Sequence, residues 1–529
     1  MYCSINAGGL RGLESYAARV EVDVSSGLPC FDMVGLLASE VKEARERIRV
    51  ALRNAGVKMP AEKITVNISP AGIHKAGTAF DLPVALGVTA AQGLIVPDRL
   101  EGILVAGELG LDASVRPIRG VLPMVLAGLR AGIMEFLLPL GNLREGMLAQ
   151  GAVVMGVRSL EEAICYLCCD GQGRRAMRQQ AAERLRTKEG ALDTGSAPAQ
   201  PHDFGAIRGM QEAKRAALAA AAGFHNLFYI GPPGAGKTML AKCIPSILPP
   251  MSTEERQEVS AIYSVAGRLP GGELIRQRPF ISPHHTVTGH ALAGGGAVPM
   301  PGMVTLAHRG VLFLDEMAEF KRPTLDILRQ PMEDGTIFLA KGGGHFVYPA
   351  DFMLVAASNP CPCGYYPDRS RCRCTSWEIH RYLSRISGPL LDRIDLCCTV
   401  QPVSFAGLLD TAGEAGEDDG QWDSAAMQAR VLMARERQAH RYAGTGIQVN
   451  GRLQAGDILK YCFLGLQEQE FMQEAVRRLG GSARAVHRLL RVARTFADLD
   501  GQDRISCRHL GQALHYRRGE DLSQISPQI

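Results

Sequence analysis

The stretch "LFYIGPPGAGKTML", residues 227–240, decides the fold of the central part of this 529-residue chain. Four apolar residues predict a buried strand, and residues 231–238 satisfy the pattern G-x-x-x-x-G-K-[ST]. Its glycines let backbone N–H groups face phosphates, and the following helix adds the positive end of its dipole. The pattern uses Lys237 to neutralise phosphate charge and Thr238 to bind Mg²⁺. The predicted nucleotide-binding residues are Gly231, Pro232, Pro233, Gly234, Ala235, Gly236, Lys237 and Thr238.

Two later strand ends predict the rest of a catalytic apparatus. "GVLFLDEM" indicates a buried parallel strand that ends in Asp315 and Glu316. We expect Asp315 to hold Mg²⁺ with Thr238, and Glu316 to orient and deprotonate an attacking water. "FMLVAASNPC" indicates a third buried strand, and its end places Asn359 between the other two, near the γ-phosphate. Because Glu316 supplies a second carboxylate, the pattern favours an active hydrolase over a slow nucleotide switch.

Composition sets wide limits on the class of protein. The length allows about three domains, and the 46% hydrophobic content is that of a chain with packed cores. A net charge of +4, from 58 basic and 54 acidic residues, does not by itself indicate nucleic-acid binding. The N-terminus lacks a basic region before an apolar run, and no stretch approaches ~18 uninterrupted apolar residues. We therefore expect a cytoplasmic protein without a membrane segment.

Changes in pattern along the chain predict its domains. Before the phosphate-binding loop, "ARVEVDV" and "KITVNIS" indicate alternating strands, and "SEVKEARERIRVALRNAG" indicates an amphipathic helix that ends at Gly56. A polar, small-residue stretch and a Gly- and acid-rich stretch predict two linkers. The predicted α/β organisation is an N-terminal domain at 1–170, a linker at 171–203, a parallel-sheet core at 204–403, a second linker at 404–423 and a helical region at 424–520.

The motifs around the predicted site resemble a known family. The phosphate-binding loop, "LFLDE" and the strand-end Asn359 resemble the AAA+ ATPases. "RPFISPHHT", "LRQPMEDG", "AASNPCPCG" and "SGPLLDRIDL" are similar to the magnesium-chelatase-like ComM/YifB family, as are "GLPCFDMVGL" and "FDLPVALG" nearer the N-terminus. The resemblance implies a cytoplasmic, homo-hexameric ATPase that uses ATP and Mg²⁺ and carries a C-terminal helical lid. Some members of the family drive branch migration of DNA during uptake and recombination of foreign DNA.

The resemblance also assigns roles to single residues. Asn359 resembles the family's sensor 1 residue. Arg393 in "LLDRID" resembles the arginine finger that reaches a neighbouring subunit's ATP, and Arg385 in "LSRISG" is a second candidate. Arg484 in "GSARAVHRLL" resembles sensor 2 on the lid. The alternatives are a solvated surface arginine for Arg393 and a merely basic helix for Arg484.

The N-terminal domain resembles a protease fold without its catalytic groups. "SPAGIHKAGTAFDLP" and "GVLPMVLAGLRAGI" resemble the Lon protease C-terminal domain, which shares its architecture with ribosomal protein S5. A Lon-type protease needs a serine nucleophile and a lysine that activates it. Ala79 occupies the serine position and Leu122 the lysine position. We therefore expect a binding or assembly module rather than a protease.

A cysteine-rich segment follows Asn359 directly. "NPCPCGYYPDRSRCRC" supplies four thiols, a complete set of ligands for a tetrahedral zinc ion. Structural Zn²⁺ there would close the loop between Asn359 and the Arg393 segment. The C-x-C spacing is shorter than the usual C-x-x-C spacing of zinc sites. Free thiols and redox-sensing cysteines are the alternatives. Cys165 and Cys168 form an isolated C-x-x-C, for which buried thiols are expected. The candidate zinc ligands are Cys361, Cys363, Cys372 and Cys374.

Two Gly-rich segments are candidates for DNA contact within a ring. Residues 278–302 contain the cations Arg278, His284, His285 and His290, and "GTIFLAKGGGHFVYP" predicts a hairpin with Lys341 near its tip. The histidines lack an evident acidic partner, which disfavours a metal site. The predicted function is a DNA motor acting on single-stranded or branched DNA as a helicase. The alternative is a chelatase-like ATPase that remodels a protein partner, and the N-terminal domain favours the motor.

Overall fold

A computed structural model describes residues 1–189, 202–296, 299–341, 344–402, 422–479 and 483–517. Over these ranges the chain forms two α/β units followed by a group of helices. The α/β fold class, with a parallel-sheet core and C-terminal helices, is confirmed. The predicted second linker at 404–423 lies almost entirely outside the described residues.

The N-terminal unit is built on a seven-stranded sheet of order β3-β4-β2-β1-β5-β8-β9. β1 and β2 are antiparallel, as are β2 and β4, and the other pairs are parallel. Val20, Val22 and Val24 alternate with polar residues and are buried, which is why "ARVEVDV" indicated a strand. The strands are β1 (Tyr2–Arg11), β2 (Glu14–Ser25), β3 (Cys30–Val34), β4 (Lys63–Ser69), β5 (Ile103–Val105), β6 (Glu108–Leu109), β7 (Val115–Arg116), β8 (Glu135–Pro139) and β9 (Val153–Val157).

Six helices cover this sheet. In α1, Val41, Ala44, Ile48 and Leu52 are buried at helical spacing, so the amphipathic pattern identified the helix correctly. Ala79 and Leu122, at the positions of the missing protease groups, are buried core residues. The helices are α1 (Ser39–Asn54), α2 (Asp81–Ala91), α3 (Val121–Arg130), α4 (Leu143–Met147), α5 (Leu160–Cys168) and α6 (Gly171–Glu189).

The last of these helices corrects the predicted linker at 171–203. Residues 171–189 are helical, and Ala181 is buried in the N-terminal core, with Met177 packed against it. Arg174 and Arg178 form ion pairs with Glu135 of β8. A narrow apolar stripe within a strongly polar sequence is enough to dock the helix, but it is too weak a pattern to distinguish a helix from a linker. Residues 190–201 lie outside the described part of the chain.

The second unit is a five-stranded parallel sheet of order β11-β14-β17-β10-β18. The central strands are buried along their whole length, as expected for a sheet covered on both faces. The predicted hairpin is present as the antiparallel pair β15 and β16. The strands are β10 (Leu227–Ile230), β11 (Phe280–Ile281), β12 (Gly294–Gly295), β13 (Met300–Pro301), β14 (Val311–Leu314), β15 (Thr336–Lys341), β16 (Gly344–Pro349), β17 (Met353–Ser358) and β18 (Leu396–Thr399).

Helices surround this sheet and continue into the C-terminal group. No helix among the described residues is long and apolar enough to cross a membrane. Around the sheet lie α7 (Gln211–Gly223), α8 (Lys237–Ile247), α9 (Thr253–Val265), α10 (Gly289–Ala293), α11 (Met303–Leu306), α12 (Arg322–Asp326), α13 (Arg329–Asp334), α14 (Ser376–Leu383) and α15 (Gly388–Leu391). The C-terminal helices are α16 (Ser424–Arg441), α17 (Ala455–Tyr461), α18 (Leu466–Leu479), α19 (Ala483–Leu499) and α20 (Cys507–His515).

A buried carboxylate joins the N-terminal unit to the sheet unit. Glu145 accepts hydrogen bonds from the backbone N–H of Leu122 (3.0 Å), from the Asn142 side chain (2.9 Å) and from the hydroxyl of Ser264 in α9. The N–H of Gly120 also donates to the carbonyl oxygen of Ser264 (3.2 Å). Two of these hydrogen bonds, from Ser264 to Glu145 and from Gly120 to Ser264, cross between the two units and satisfy buried polar groups of both, so the units pack as neighbours.

Candidate nucleotide-binding site

The phosphate-binding loop is shaped by its glycines. β10 ends at Ile230, and a Cβ on the next residue, Gly231, would lie 2.2 Å from the carbonyl oxygen of Val400, just after β18. Gly234 and Gly236 have φ angles of 76° and 80°, a region that side chains with a Cβ disfavour. The loop then enters α8 at Lys237, so its backbone N–H groups surround the helix N-terminus. This is the strand, loop and helix that the sequence predicted.

Lys237 lies under the loop rather than in solvent. Its side chain is buried, and Nζ donates to the carbonyl oxygens of Gly231 (2.6 Å) and Pro232 (2.8 Å) and to Oδ1 of Asn359 (3.1 Å). Burial lowers the pKa of Lys237, while the negative charges of Asp315 and Glu316 act in the opposite direction. The structure therefore brings Lys237 and Asn359 together at one sheet edge; the sensor 1 role of Asn359 stays a prediction.

Thr238 and Asp315 form the oxygen pair expected around Mg²⁺. The hydroxyl of Thr238 donates to Oδ2 of Asp315 at 2.8 Å. Two neighbouring ligands of an octahedral Mg²⁺ ion, each at about 2.1 Å from the metal, lie about 3.0 Å apart. A hard cation bound to nucleotide phosphates can therefore take these two oxygens with little movement of the protein. Their assignment as Mg²⁺ ligands fits the geometry and stays a prediction.

Glu316 has an unusual backbone conformation. Its φ and ψ angles are 50° and 48°, in the left-handed region, which costs a residue with a Cβ of the order of 1 kcal/mol or more. The turn allows the N–H of Glu316 to donate to Oδ1 of Asp315 (3.0 Å) and leaves the Glu316 side chain exposed. Its carboxylate is thus directed away from the sheet core, where a water molecule could reach it.

His285 contacts Glu316, a pairing that the sequence did not predict. Nδ1 of His285 lies 3.8 Å from Oε2 of Glu316, and the His285 ring meets Phe320 edge-on with centroids 6.5 Å apart. The expectation that His284 and His285 lack an acidic partner is therefore wrong. β11 lies beside β14 in the sheet, and the chain after β11 passes the end of β14. Sequence spacing alone does not reveal that two strands are neighbours.

The three predicted arginines fall in two places. Arg385 donates to the carbonyl oxygen of Ala318 (3.2 Å) and to Glu319 (2.8 Å), just after Glu316 in the same chain. Arg393 instead donates to Glu333, and Nη2 of Arg484 lies 3.9 Å from the same carboxylate.

Arg393 and Arg484 lie at the opposite end of the sheet from the phosphate-binding loop. The side-chain nitrogen of Asn226, just before β10, donates to the backbone oxygen of Arg393 (2.8 Å), whereas the loop begins after Ile230. Four strand residues span about 13 Å. The structure therefore groups the finger and sensor 2 candidates with each other, and it does not group them with Lys237 and Asp315. Their roles stay predictions.

The four cysteines after Asn359 converge. Sγ of Cys361 lies 3.3 Å from that of Cys363 and 3.7 Å from that of Cys372, and Cys363 lies 3.5 Å from Cys372. With Cys374 included, all four sulfur atoms lie within 4.8 Å of one another. A tetrahedral Zn²⁺ with bonds of about 2.3 Å would set these separations at about 3.8 Å. The tight C-x-C spacing therefore does not prevent a tetrahedral arrangement.

Local donors favour a charged thiolate at Cys363, whereas desolvation raises the pKa of Cys372 and raises that of Cys374 to about 12. The backbone N–H of Tyr365, followed by hydrogen bonds with the other thiols, lowers the pKa of Cys363 to about 6. The N–H of Tyr366 donates to Sγ of Cys361 at 3.4 Å. Thiolates are the form of cysteine that binds metal, and N–H donors of this kind support them.

The cysteine segment, residues 361–374, is called the knuckle below, and it packs on the phosphate-binding loop. A Cβ on Gly364 would lie 2.5 Å from Cδ of Pro233, so the knuckle backbone touches the loop's proline ring. Gly364 also has a φ of 87°. Asn359 precedes the first cysteine by two residues. The position of the knuckle is therefore coupled by direct contact to both Asn359 and the loop.

Two other sequence expectations change, and a third stays untested. Arg278, a predicted DNA-contacting cation, is mostly buried: its guanidinium pairs with Glu255 (2.9 Å) and donates to the carbonyl oxygens of Pro249 and Arg309. Cys165 and Cys168, expected to be buried, are exposed on α5. The Lys341 side chain lies outside the described residues.

We predict that His285→Ala lowers kcat for ATP hydrolysis about tenfold and leaves KM for ATP within about twofold, because His285 positions Glu316 and does not contact the phosphate-binding loop. His285→Gln, which keeps a polar side chain beside the carboxylate, should recover part of kcat. Steady-state kinetics at fixed pH measure both constants. His74→Ala, an exposed histidine of the N-terminal unit, is the control; an effect on KM alone, or an unchanged kcat, would contradict the positioning role.

Family models match three parts of the chain. The model described as "Magnesium chelatase, subunit ChlI" matches residues 203–408. "Subunit ChlI of Mg-chelatase" matches residues 20–142, and "Magnesium chelatase, subunit ChlI C-terminal" matches residues 421–517. The first of these covers the parallel sheet with the phosphate-binding loop, and the third covers the C-terminal helices.

Curated relatives match over nearly the whole chain. The chain is 39% identical over 507 residues to YifB of Salmonella typhimurium, covering 96% of this chain and 95% of the relative. It is 39% identical over 506 residues to "Competence protein ComM" of Haemophilus influenzae, with the same coverage. It is 26% identical over 229 residues to the "Magnesium-chelatase 67 kDa subunit" of Chlorobaculum parvum, covering 42% of this chain and 30% of the relative. With its phosphate-binding loop, Asp315 and Glu316 on a parallel sheet, the chain belongs to the magnesium-chelatase-like ComM/YifB family of AAA+ ATPases.

Proposed function

We propose that this chain is an ATP-driven motor that acts on single-stranded or branched DNA, working as a helicase in branch migration of incoming DNA. In this proposal the chain works in the cytoplasm as a homo-hexameric ring, and each ATP is held between two neighbouring copies. The observation that carries the ring is the separation of Arg393 and Arg484 from the phosphate-binding loop of their own chain. A ring in which each copy completes its neighbour's site accounts for that separation.

The arginine end of the sheet has the charge needed to contact a phosphate. Arg393, Arg484, Arg488 and Arg491 line one cleft together with the carboxylates of Glu333, Asp392 and Asp395. Glu333 bonds to Arg393 and lies near Arg484, so one exposed carboxylate holds both candidate residues. A nucleotide phosphate from a neighbouring copy carries more charge than this carboxylate and can displace it from the two guanidinium groups. Arginine fingers supplied from a neighbouring chain act in this way on a γ-phosphate.

Within one chain, each residue near Lys237 has a distinct task. The backbone N–H groups of the loop and Lys237 would bind the phosphates of ATP, and Thr238 and Asp315 would hold a Mg²⁺ ion that neutralises phosphate charge. Glu316, held by His285, orients a water molecule toward the γ-phosphate and accepts its proton. Asn359 lies at the end of β17 and accepts a hydrogen bond from Lys237. From there it helps to position the γ-phosphate.

The DNA substrate rests on the family and on one relative's name. The Haemophilus influenzae relative is called a competence protein and aligns over 96% of this chain. The hairpin β15–β16 also presents exposed Phe338 and Val347 side by side, on an element that the family resemblance places at the ring's pore. These features favour a motor that tracks a strand through a ring.

The alternative is an ATPase that remodels a protein partner, as in a chelatase. The chelatase subunit of Chlorobaculum parvum aligns with only 42% of this chain, which favours the motor. The N-terminal domain is a weaker discriminator than the sequence suggested, because the family model that matches residues 20–142 itself carries a chelatase name. The effect of DNA on the rate of ATP hydrolysis therefore distinguishes the two functions.

We expect single-stranded DNA or a four-way junction to raise the steady-state ATPase rate at least several-fold at fixed salt, and duplex DNA to raise it less. The same assay on Glu316→Gln should show loss of turnover with and without DNA, while fluorescent ATP still binds, because the residue acts on water rather than on the nucleotide. Salt must be held constant since phosphate contacts weaken steeply as it rises. A rate that no DNA structure changes would reject the DNA motor and favour the protein-remodelling alternative.

We also propose that Cys361, Cys363, Cys372 and Cys374 bind one structural Zn²⁺. The convergence of the four sulfur atoms supports it, and so does the N–H donation to Cys361. The ion would supply folding energy to the knuckle and take no part in the hydrolysis. The knuckle touches Pro233 and follows Asn359 in the chain. A knuckle ordered by zinc would therefore hold both residues in position.

We predict about one zinc per chain in the purified protein by atomic absorption. Cys363→Ser with Cys372→Ser should abolish zinc binding, lower the melting temperature and weaken ATP binding through the loop contact. The matched control is Cys165→Ser with Cys168→Ser, which removes two thiols outside the knuckle and should retain the metal. Fully active protein without zinc would contradict the proposal.

A further inference from the structure

The segment that contains the knuckle carries a net positive charge. Residues 361–385 contain five arginines and two acidic residues, a net charge of +3. Both acidic side chains serve local structure: Asp368 accepts hydrogen bonds from the N–H and hydroxyl of Ser370, and Glu378 forms the capping box that begins α14. The arginine charges are thus left largely uncompensated within this segment.

Three of these arginines lie against aromatic rings. Guanidinium carbons lie 5.1 Å from the ring centre of Tyr366 for Arg369, 4.0 Å from that of Tyr365 for Arg371, and 5.1 Å from that of Trp377 for Arg381. All three arginines are exposed, and Trp377 is 65% exposed. Among the described residues none of the three forms an ion pair with a carboxylate. We call this set of arginines and rings the knuckle surface.

The knuckle surface offers the two kinds of group that bind single-stranded nucleic acid, namely cations for phosphates and flat rings for bases. Arginine side chains neutralise backbone phosphates without regard to sequence. Exposed aromatic rings, and guanidinium planes held flat by a ring beneath them, offer faces on which unpaired bases stack. Duplex DNA hides its base faces, so it would use only the charges. Three pairings of arginine with an aromatic ring within residues 365–381 therefore match a single strand better than a duplex.

The position of the surface connects it to the nucleotide site. The knuckle backbone contacts Pro233 of the phosphate-binding loop through Gly364, and Ile379 of α14 is buried against Cys361 and Cys372. α14 carries both Trp377 and Arg381. The arginines and rings of the knuckle surface are therefore joined to the phosphate-binding loop by direct packing.

We propose that the knuckle surface is a binding site for single-stranded DNA, with Arg371 and Arg381 contacting phosphates and Trp377 stacking on a base. This inference rests on the proposed DNA function and names the surface that serves it. The site needs no base-specific contact, so it binds strands of any sequence.

The test is fluorescence anisotropy of a labelled oligo-dT with the full-length protein over a series of salt concentrations. In Arg371→Gln with Arg381→Gln, the slope of log affinity against log salt should become shallower by about 1.4, since each phosphate contact on a single strand contributes about 0.7. Trp377→Ala should keep the slope and weaken binding about 5- to 100-fold, the effect of losing one stacked base. Basal ATPase without DNA should match wild type in both variants, showing that the knuckle is folded.

The matched control removes the same charge elsewhere. Arg49→Gln with Arg53→Gln alters two exposed arginines of α1 and should leave slope and affinity unchanged. If the knuckle variants behave like this control while wild type binds oligo-dT, the knuckle surface is not the site and the DNA function survives. If wild type binds no oligo-dT at any salt, both the proposed function and this inference are rejected. Tighter binding of oligo-rU than of oligo-dT would overturn the assignment to DNA.

Discussion

The parallel register of β10, β14 and β17 is the constraint on which the nucleotide site depends. Parallel strands end at the same edge of a sheet, so Lys237, Asp315 and Asn359 meet there although they are far apart in the sequence. The close approach of Gly231 to Val400 fixes where the loop leaves the sheet. From these contacts follow the hydrogen bonds of Lys237 to Asn359 and of Thr238 to Asp315.

The same sheet also separates the two halves of the proposed reaction. The residues predicted to bind phosphate and Mg²⁺ lie at the carboxyl end of β10, while Arg393 lies beside Asn226 before its amino end. One copy of the chain therefore has the predicted nucleotide site at one edge and the arginines at the other. In the proposed ring, the nucleotide bound to one copy would contact the lid and finger candidates of the neighbouring copy. The knuckle adds a third connection, from its exposed surface to the loop.

The sequence predicted the elements of the site better than their surroundings. A fixed motif such as residues 231–238 specifies its own local structure, so the loop and strand ends were predicted in the right places. His285 was missed because its contact with Glu316 depends on which strand lies beside β14. Arg278 was misassigned because a cation in a Gly-rich segment does not reveal that Glu255 of α9 lies opposite. The helix at 171–189 was missed because a few apolar side chains are enough to dock an otherwise polar helix.

The most direct measurement of the central claim, that neighbouring copies complete each ATP site, is the ATPase rate of a mixture of two inactive variants. Arg393→Ala retains a nucleotide site and lacks the finger, and Lys237→Ala retains the finger and lacks phosphate binding. After co-assembly of equal amounts, about a quarter of the interfaces unite both intact halves, so we expect about a quarter of the wild-type rate. A mixture no more active than the average of the two variants would contradict the claim, provided that both variants melt at the wild-type temperature.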